Sequence, residues 1–184
     1  GYASQSAFSR AFVARFGVTP ARFRREFDEG VDDTRSIGEF GPIAVREVDE
    51  FHLLAKRYVG DLYSVRDFWR DFAIRLPGDE GMWRKELFLG LLYDDPLMSA
   101  SNEVRYDCCV TVGGGLTKDV NEMSARQLHR ISTQPGLYGC VRFAAHCHSL
   151  AGTYHYLCNG WARNSRFSIG DGPAIELHAC PRHL

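Results

Sequence analysis

Several familiar signals are missing from this sequence, and each absence excludes something. No apolar run approaches the roughly 18 residues that a membrane-crossing helix needs. Residues 1–4, Gly-Tyr-Ala-Ser, have neither the basic start nor the apolar core of a secretory signal. A cytoplasmic chain with no membrane segment is therefore expected. There is no starting methionine either, so the chain is expected to begin inside a longer protein. None of the cysteines, at 108, 109, 140, 147, 158 and 180, forms a C-x-x-C pair. Cys108 and Cys109 are adjacent, so in a strand they face opposite ways. Zinc needs converging ligands and a disulfide scaffold suits a short secreted chain; the thiols are expected reduced and packed as small hydrophobes. In His146-Cys147-His148 a strand would send the thiol away from both imidazoles. Gly113-Gly114-Gly115 is not followed by the Lys-Ser/Thr of a phosphate loop. Neither metal nor cofactor is expected.

The net charge of −1 is small but unevenly spread. Residues 1–27 carry Arg10, Arg15, Arg22, Arg24 and Arg25 against Glu26 alone. Residues 28–40 reverse the sign, with Asp28, Glu29, Asp32, Asp33 and Glu39 against Arg35. The rest is nearly neutral. A basic block, an acidic connector and a neutral body imply three different tasks. The connector lacks hydrophobic periodicity and reads as a solvated linker.

In the basic block, Ser4 is placed to cap a helix in which Phe8, Ala11, Phe12 and Phe16 recur at helical spacing. Gly17 marks its end. Thr19-Pro20 opens a second helix, with threonine as cap and proline in the first turn, where no N–H is needed. The pair fits either a helix-turn-helix remnant or any amphipathic helix pair with a solvated basic face.

From residue 41 onward the pattern is strand and helix in alternation. Ile43–Val48 and His52–Val59 read as strands, and Gly60–Ser64 turns into a helix with Val65, Phe68, Trp69, Phe72 and Ala73 on one stripe. Leu87–Tyr93 and Arg105–Val112 read as strands joined through the Asp94-Asp95-Pro96 turn. A similar order follows. Leu137–Ala144 is strand-like, a helix carries Leu150, Tyr154, Leu157, Cys158 and Trp161, and Pro173–His178 is again a strand. Arg57–Val65 aligns loosely with Arg142–Leu150. The expected fold is α+β: a duplicated strand–helix–strand–strand unit, antiparallel sheet, helices on one side, preceded by a partial helix-turn-helix. Duplication leaves a groove on the pseudo-twofold axis.

Two families are similar to parts of this sequence. Gly1-Tyr2-x-Ser4-x-Ser6-x-Phe8-Ser9-Arg10-x-Phe12 and Phe16-Gly17-x-Thr19-Pro20-x-x-Phe23-Arg24 resemble the end of the AraC/XylS DNA-binding domain. The resemblance makes the helix after Ser4 a second recognition helix. It points Gln5, Ser6, Ser9 and Arg10 at DNA, where glutamine suits adenine and arginine suits guanine or phosphate. Phe8 and Phe12 would be core, and Arg22, Arg24 and Arg25 would touch phosphate without specifying sequence. The family's first helix-turn-helix would lie before Gly1, so only weak, non-specific, salt-sensitive DNA binding is expected of these residues alone.

Gly90-Leu91-Leu92-Tyr93-Asp94-Asp95-Pro96, Arg105-Tyr106-Asp107-Cys108-Cys109-Val110 and Pro173-Ala174-Ile175-Glu176-Leu177 resemble the GyrI-like effector-binding domain. The charge blocks and the two resemblances together divide the chain into residues 1–27, 28–40 and 41–184. The GyrI-like resemblance implies an aromatic groove with a buried acid, by position Glu176, taking amphipathic cationic or aromatic compounds of the multidrug type. Trp161, Tyr93 and Tyr106 are the leading aromatic walls, followed by Trp69 and Tyr154. A carboxylate among rings suits a cation, and a charge in the middle of an apolar strand is costly unless paired. The family's Gly-Pro-Tyr segment corresponds to Gly60-Asp61-Leu62-Tyr63 in the first half and departs to Ala145-His146-Cys147 in the second. The family also has a strand after the Glu176 strand; its absence would expose a sheet edge for a partner chain, making a homo-oligomer.

The function expected is a ligand-responsive transcription regulator with no chemistry of its own. The alternatives are a small-molecule hydrolase using Glu176 as a base of raised pKa, and a protein-binding inhibitor.

Overall fold

A computed structural model describes residues 4–16, 19–22, 42–78, 80–95, 103–113, 120–142, 153–154 and 156–178. The linker at 28–40, the arginines at 24 and 25, and the His146–His148 and Ala145–Cys147 segments lie outside these residues. The chain divides into two units, Gly1–Gly41 and Pro42–Leu184.

In the first unit, helix α1 spans Gln5–Phe16. The Ser4 hydroxyl accepts the Ala7 N–H at 3.1 Å and the Ser4 carbonyl accepts the Phe8 N–H at 3.0 Å. Thr19 Oγ1 likewise accepts the Arg22 N–H at 3.2 Å. Both hydroxyls therefore cap backbone N–H groups that a helix start leaves unpaired, as their positions in the sequence imply. The expectation that Phe8 is core does not hold among the described residues. Its ring lies 5.6 Å from that of Phe12, yet Phe8 is 38% exposed.

In the second unit the strands and helices run β1 Ala44–Val48, β2 His52–Gly60, α2 Val65–Arg75, β3 Phe88–Leu92, β4 Val104–Thr111, α3 Val120–Ala125, β5 His129–Ser132 and β6 Gly136–Cys140. A π-helical turn at Tyr156–Trp161 then runs into α4, Ala162–Asn164, and β7 spans Ala174–His178. The sheet expectations for residues 43–59, 87–112 and 173–178 are met. The strand expected over 137–144 is shorter, ending at Cys140, and Leu150 of the expected helix lies outside the described residues. Helix α3 and strand β5 were not legible. β5 reads His-Arg-Ile-Ser, with one apolar residue, and is held by pairing with β2 rather than by an alternating pattern of its own.

All described pairings are antiparallel. β1 pairs with β6, while the larger sheet runs β5-β2-β4-β3-β7. The duplication shows in the pairing. β1 and β2 are separated by residues 49–51, β5 and β6 by residues 133–135. Each pair is then followed by a helix and a strand. The first strand of each half pairs with the second strand of the other, β1 with β6 and β5 with β2, and β3 meets its counterpart β7. A half could not form these ladders alone.

Helix α2 covers one face of the large sheet, burying Val65, Trp69 and Phe72 at the i, i+4, i+7 spacing of a single stripe. It ends where Leu76, preceding Pro77, turns extended, the backbone that a following proline imposes. The core on this face includes Leu54, Trp69, Phe72, Phe88, Leu92 and Val110, each contributing about 1.5–3 kcal/mol when fully buried. The opposite face buries Leu53, Ala55, Leu89, Leu91 and Cys109. β3 is buried at every position. Its continuous apolar run is that of a strand covered on both sides.

Candidate functional site

Alternation along β3, β4 and β7 sends Gly90, Tyr106, Glu176 and His178 to the α2 face of the sheet. Glu176 is paired with Gly90, which is paired in turn with Cys108. Tyr106 therefore starts two strands away from Glu176, and its phenol crosses β3 to reach it. It can do so because residue 90 has no side chain. A Cβ there would lie 1.7 Å from Tyr106 Oη, 2.4 Å from Cζ and 3.1 Å from Glu176 Oε2. Gly90 is therefore a close-approach glycine.

Among the described residues, the Glu176 carboxylate has two partners on one oxygen and one on the other. Tyr154 donates to Oε1 at 2.7 Å. Tyr106 donates to Oε2 at 2.7 Å, and His178 Nε2 lies 3.1 Å from both Oε2 and the Tyr106 oxygen. The His178 ring packs against Trp69 at 4.8 Å between centroids. Only 15% of the Glu176 side chain is exposed. Burial alone would push its carboxyl up, but the bonds from His178, Tyr154 and Tyr106 together outweigh that and hold it below the usual carboxylate value. Burial, reinforced by the Glu176 charge, pushes both tyrosines up, so they stay protonated as donors. Trp69 Nε1 has no hydrogen bond of ordinary geometry among the described residues, although it faces the Tyr106 phenol closely enough to favour the phenolate slightly.

Tyr106 and Glu176 thus come together as the sequence implied, with Tyr154 bonded directly and Trp69 behind His178. Tyr93 does not join them. It follows β3 in the parity of Leu89 and Leu91, and its hydroxyl donates to Asp107 at 2.9 Å on the opposite face. Asp107 is fully buried and paired with the Arg57 guanidinium, which stacks 4.4 Å from the Tyr93 ring centre. Burial, with Asp107 beside it, pushes the Tyr93 phenol up to about 12. His129 lies 3.9 Å from the same carboxylate. Trp161 packs over Gly139 of β6 and stacks on Phe167 at 5.9 Å; no described hydrogen bond of the Glu176 cluster involves it.

His178 and Asp107 were missed from the sequence. The signal for His178 was present, since a residue two positions from Glu176 in a strand shares its face. Asp107 sits in a quoted motif, but nothing local shows that its partner is Arg57. On α1, Gln5, Ser6 and Arg10 are exposed and Ser9 is half-buried. Among the described residues no helix is long and apolar enough to cross a membrane, and no cluster of His, Cys, Asp or Glu is arranged to hold a metal ion.

A carboxylate so held carries a negative charge into a largely apolar setting. It attracts a cation better than it abstracts a proton, because a base of lowered pKa has little driving force. A shallow cleft at the β2–β5 rim, lined by Leu53, Val112, Arg130, Ile131 and their neighbours, offers no acid of this kind.

No curated protein matches the chain. Among solved structures it is similar to a chain of EcmrR in the cryo-EM structure of an EcmrR–DNA complex, with 14% identity and a TM-score of 0.47. The alignment covers 88% of this chain and 59% of that one, so the present chain spans less than two thirds of its length. Residues 42–178 match the model of the GyrI-like small molecule binding domain. That match takes in every described strand and the whole Glu176 cluster, and the chain belongs to the GyrI-like family.

Proposed function

We propose that this chain belongs to a ligand-responsive transcription regulator in which residues 41–184 bind an amphipathic cationic or aromatic compound through Glu176. The family supplies the small-molecule role. The observation that carries the cationic preference is a carboxylate held ionised in a site of tyrosines, histidine and tryptophan. Charge pairing and cation–π attraction then act in the same direction.

Tyr106 and Trp69 are almost completely buried, so a ligand of drug size displaces part of this cluster to reach the carboxylate. Binding thereby selects an opened state over the closed one, and that difference in affinity is what a sensor needs to transmit. Residues 1–27, with their AraC-type pattern, supply the DNA-facing end, using Gln5, Ser6, Ser9 and Arg10, and residues 28–40 form the acidic linker. The effect on transcription is the coupling between the two.

Titration with cationic dyes, followed by tryptophan quenching, tests the reading. Binding is expected, and Glu176→Gln should weaken it by about 1–3 kcal/mol, the usual cost of losing a charged hydrogen-bond partner. Equal affinity of the variant would remove Glu176 from the site. A hydrolase reading asks Glu176 to be a base, which its lowered pKa opposes; turnover of a bound compound, lost in the same variant, would reverse the ranking.

A further inference from the structure

We infer, building on the cation-binding reading above, that the Glu176 site selects organic cations carrying a hydrogen-bond acceptor close to the charge, and that the Trp69 indole N–H is the donor that recognises it.

Trp69 and Trp83 are both buried in the second unit, but their N–H groups fare differently. Trp83 Nε1 donates to the Pro77 carbonyl at 2.9 Å. Trp69 is only 2% exposed, and among the described residues its Nε1 is the one buried side-chain nitrogen or oxygen without a partner. A donor sealed from water and left unpaired is costly, which is why native interiors hold few of them.

This orphan donor borders the ligand site. Trp69 lies on the buried stripe of α2, and two of the rings against it belong to the Glu176 cluster. His178 packs at 4.8 Å between centroids, and Tyr106 at 6.3 Å and nearly perpendicular. The indole N–H faces the Tyr106 oxygen without closing an ordinary hydrogen bond. That oxygen is already engaged: it donates its proton to Glu176 Oε2 at 2.7 Å and lies 3.1 Å from His178 Nε2. Phe72 and Phe88, also packed on Trp69, offer no lone pair.

The Tyr106 hydroxyl thus serves two neighbours at one point. It gives a donor to the carboxylate and sets an oxygen before the indole. A ligand that displaces the phenol has both to replace. Its cationic centre takes the carboxylate, and a lone pair a few bonds from that centre takes the N–H. A cation without an acceptor satisfies Glu176 alone and leaves the indole donor stranded, with the phenol withdrawn as well. A site holding a buried polar group discriminates against the analogue that lacks its partner. The favoured class is therefore ammonium compounds with a nearby carbonyl, ether or ring nitrogen, over purely hydrocarbon cations.

The test uses the whole chain and two probes of equal charge and nearly equal shape. One is phenacyltrimethylammonium; the other is its alkene counterpart, in which C=CH2 replaces C=O. Calorimetric titration at one neutral pH reads both affinities. Water solvates the ketone better than the alkene, so without a donor in the site the ketone binds no more tightly. With the Trp69 donor it should bind about threefold to tenfold more tightly, the net worth of one hydrogen bond. Trp69→benzothienylalanine keeps the bicyclic ring and puts sulfur in place of the N–H. It should bring the probes level, with the alkene's affinity within about twofold of the wild type. The same replacement at Trp161, which packs over Gly139, should leave the preference intact.

Should the Trp69 variant not fold, the wild-type indole resonance, assigned through its contacts with the His178 ring, decides the matter. It should move downfield with the ketone and not with the alkene. Equal binding of the two probes to the wild type overturns the inference and leaves the cation-binding reading standing. So does a preference kept by the Trp69 variant, a preference lost at Trp161 instead, or the absence of a ketone-specific shift. Failure of both probes to bind removes the cation-binding reading, and the acceptor preference with it.

Discussion

The hydroxyl of Tyr106 on β4 donates to Glu176 on β7 at 2.7 Å, across a strand that separates the two. The bond passes over Gly90, whose missing side chain leaves room for the phenol. A buried charge, its donor and the glycine that admits the donor thus come from three strands.

Gly90→Ala tests that arrangement directly. A methyl group 1.7 Å from the phenol oxygen cannot be accommodated, so Tyr106 must swing away or the strands must part. Chemical denaturation should show a loss of about 1–3 kcal/mol, the common cost of overpacking. The variant should also bind cations more weakly. Unchanged stability would mean that the phenol lies elsewhere.

The pH dependence of folding follows from Glu176. Its folded carboxyl lies below its unfolded value, so its contribution to stability is complete above the unfolded value. That contribution is lost as the pH falls through the folded one. Denaturation midpoints should drop more steeply with acid in the wild type than in Glu176→Gln. Asp71 and Asp94, also held low by their basic partners, act alike in both proteins and cancel in the comparison.

The two faces of the sheet should separate in mutagenesis. Tyr154→Phe removes a donor to Glu176 and should change cation affinity several-fold, while Tyr93→Phe, on the Asp107 side, should leave it within about twofold. Equal effects in a binding titration would restore Tyr93 to the ligand site.

Asp107→Ala should cost stability rather than binding. The carboxylate is fully buried and takes hydrogen bonds from Arg57 and Tyr93. Removing it leaves Tyr93 without its acceptor, while Arg57, 40% exposed, can turn to water. About 2–3 kcal/mol is expected, less than for a pair buried on both sides. A thermal or urea unfolding series measures it.

Much of this protein was decided locally. Ser4 and Thr19 cap because a hydroxyl in that position reaches the backbone of the next turn, wherever the helix goes. Val65, Trp69 and Phe72 share a stripe because a helix repeats every 3.6 residues, and Phe88–Leu92 forms a central strand because it is apolar throughout. Glu176 stood out as a charge in such a run. Which partners it meets is a matter of tertiary structure. Tyr93 and Tyr106 look equivalent in the sequence, but strand parity and register send one to Asp107 and the other to Glu176. Strand β5, with little pattern of its own, exists because β2 pairs with it. The three donors on Glu176 come from positions 106, 154 and 178. Only the antiparallel register of β4, β3 and β7, with a glycine at the crossing, brings the first and last of them to one carboxylate.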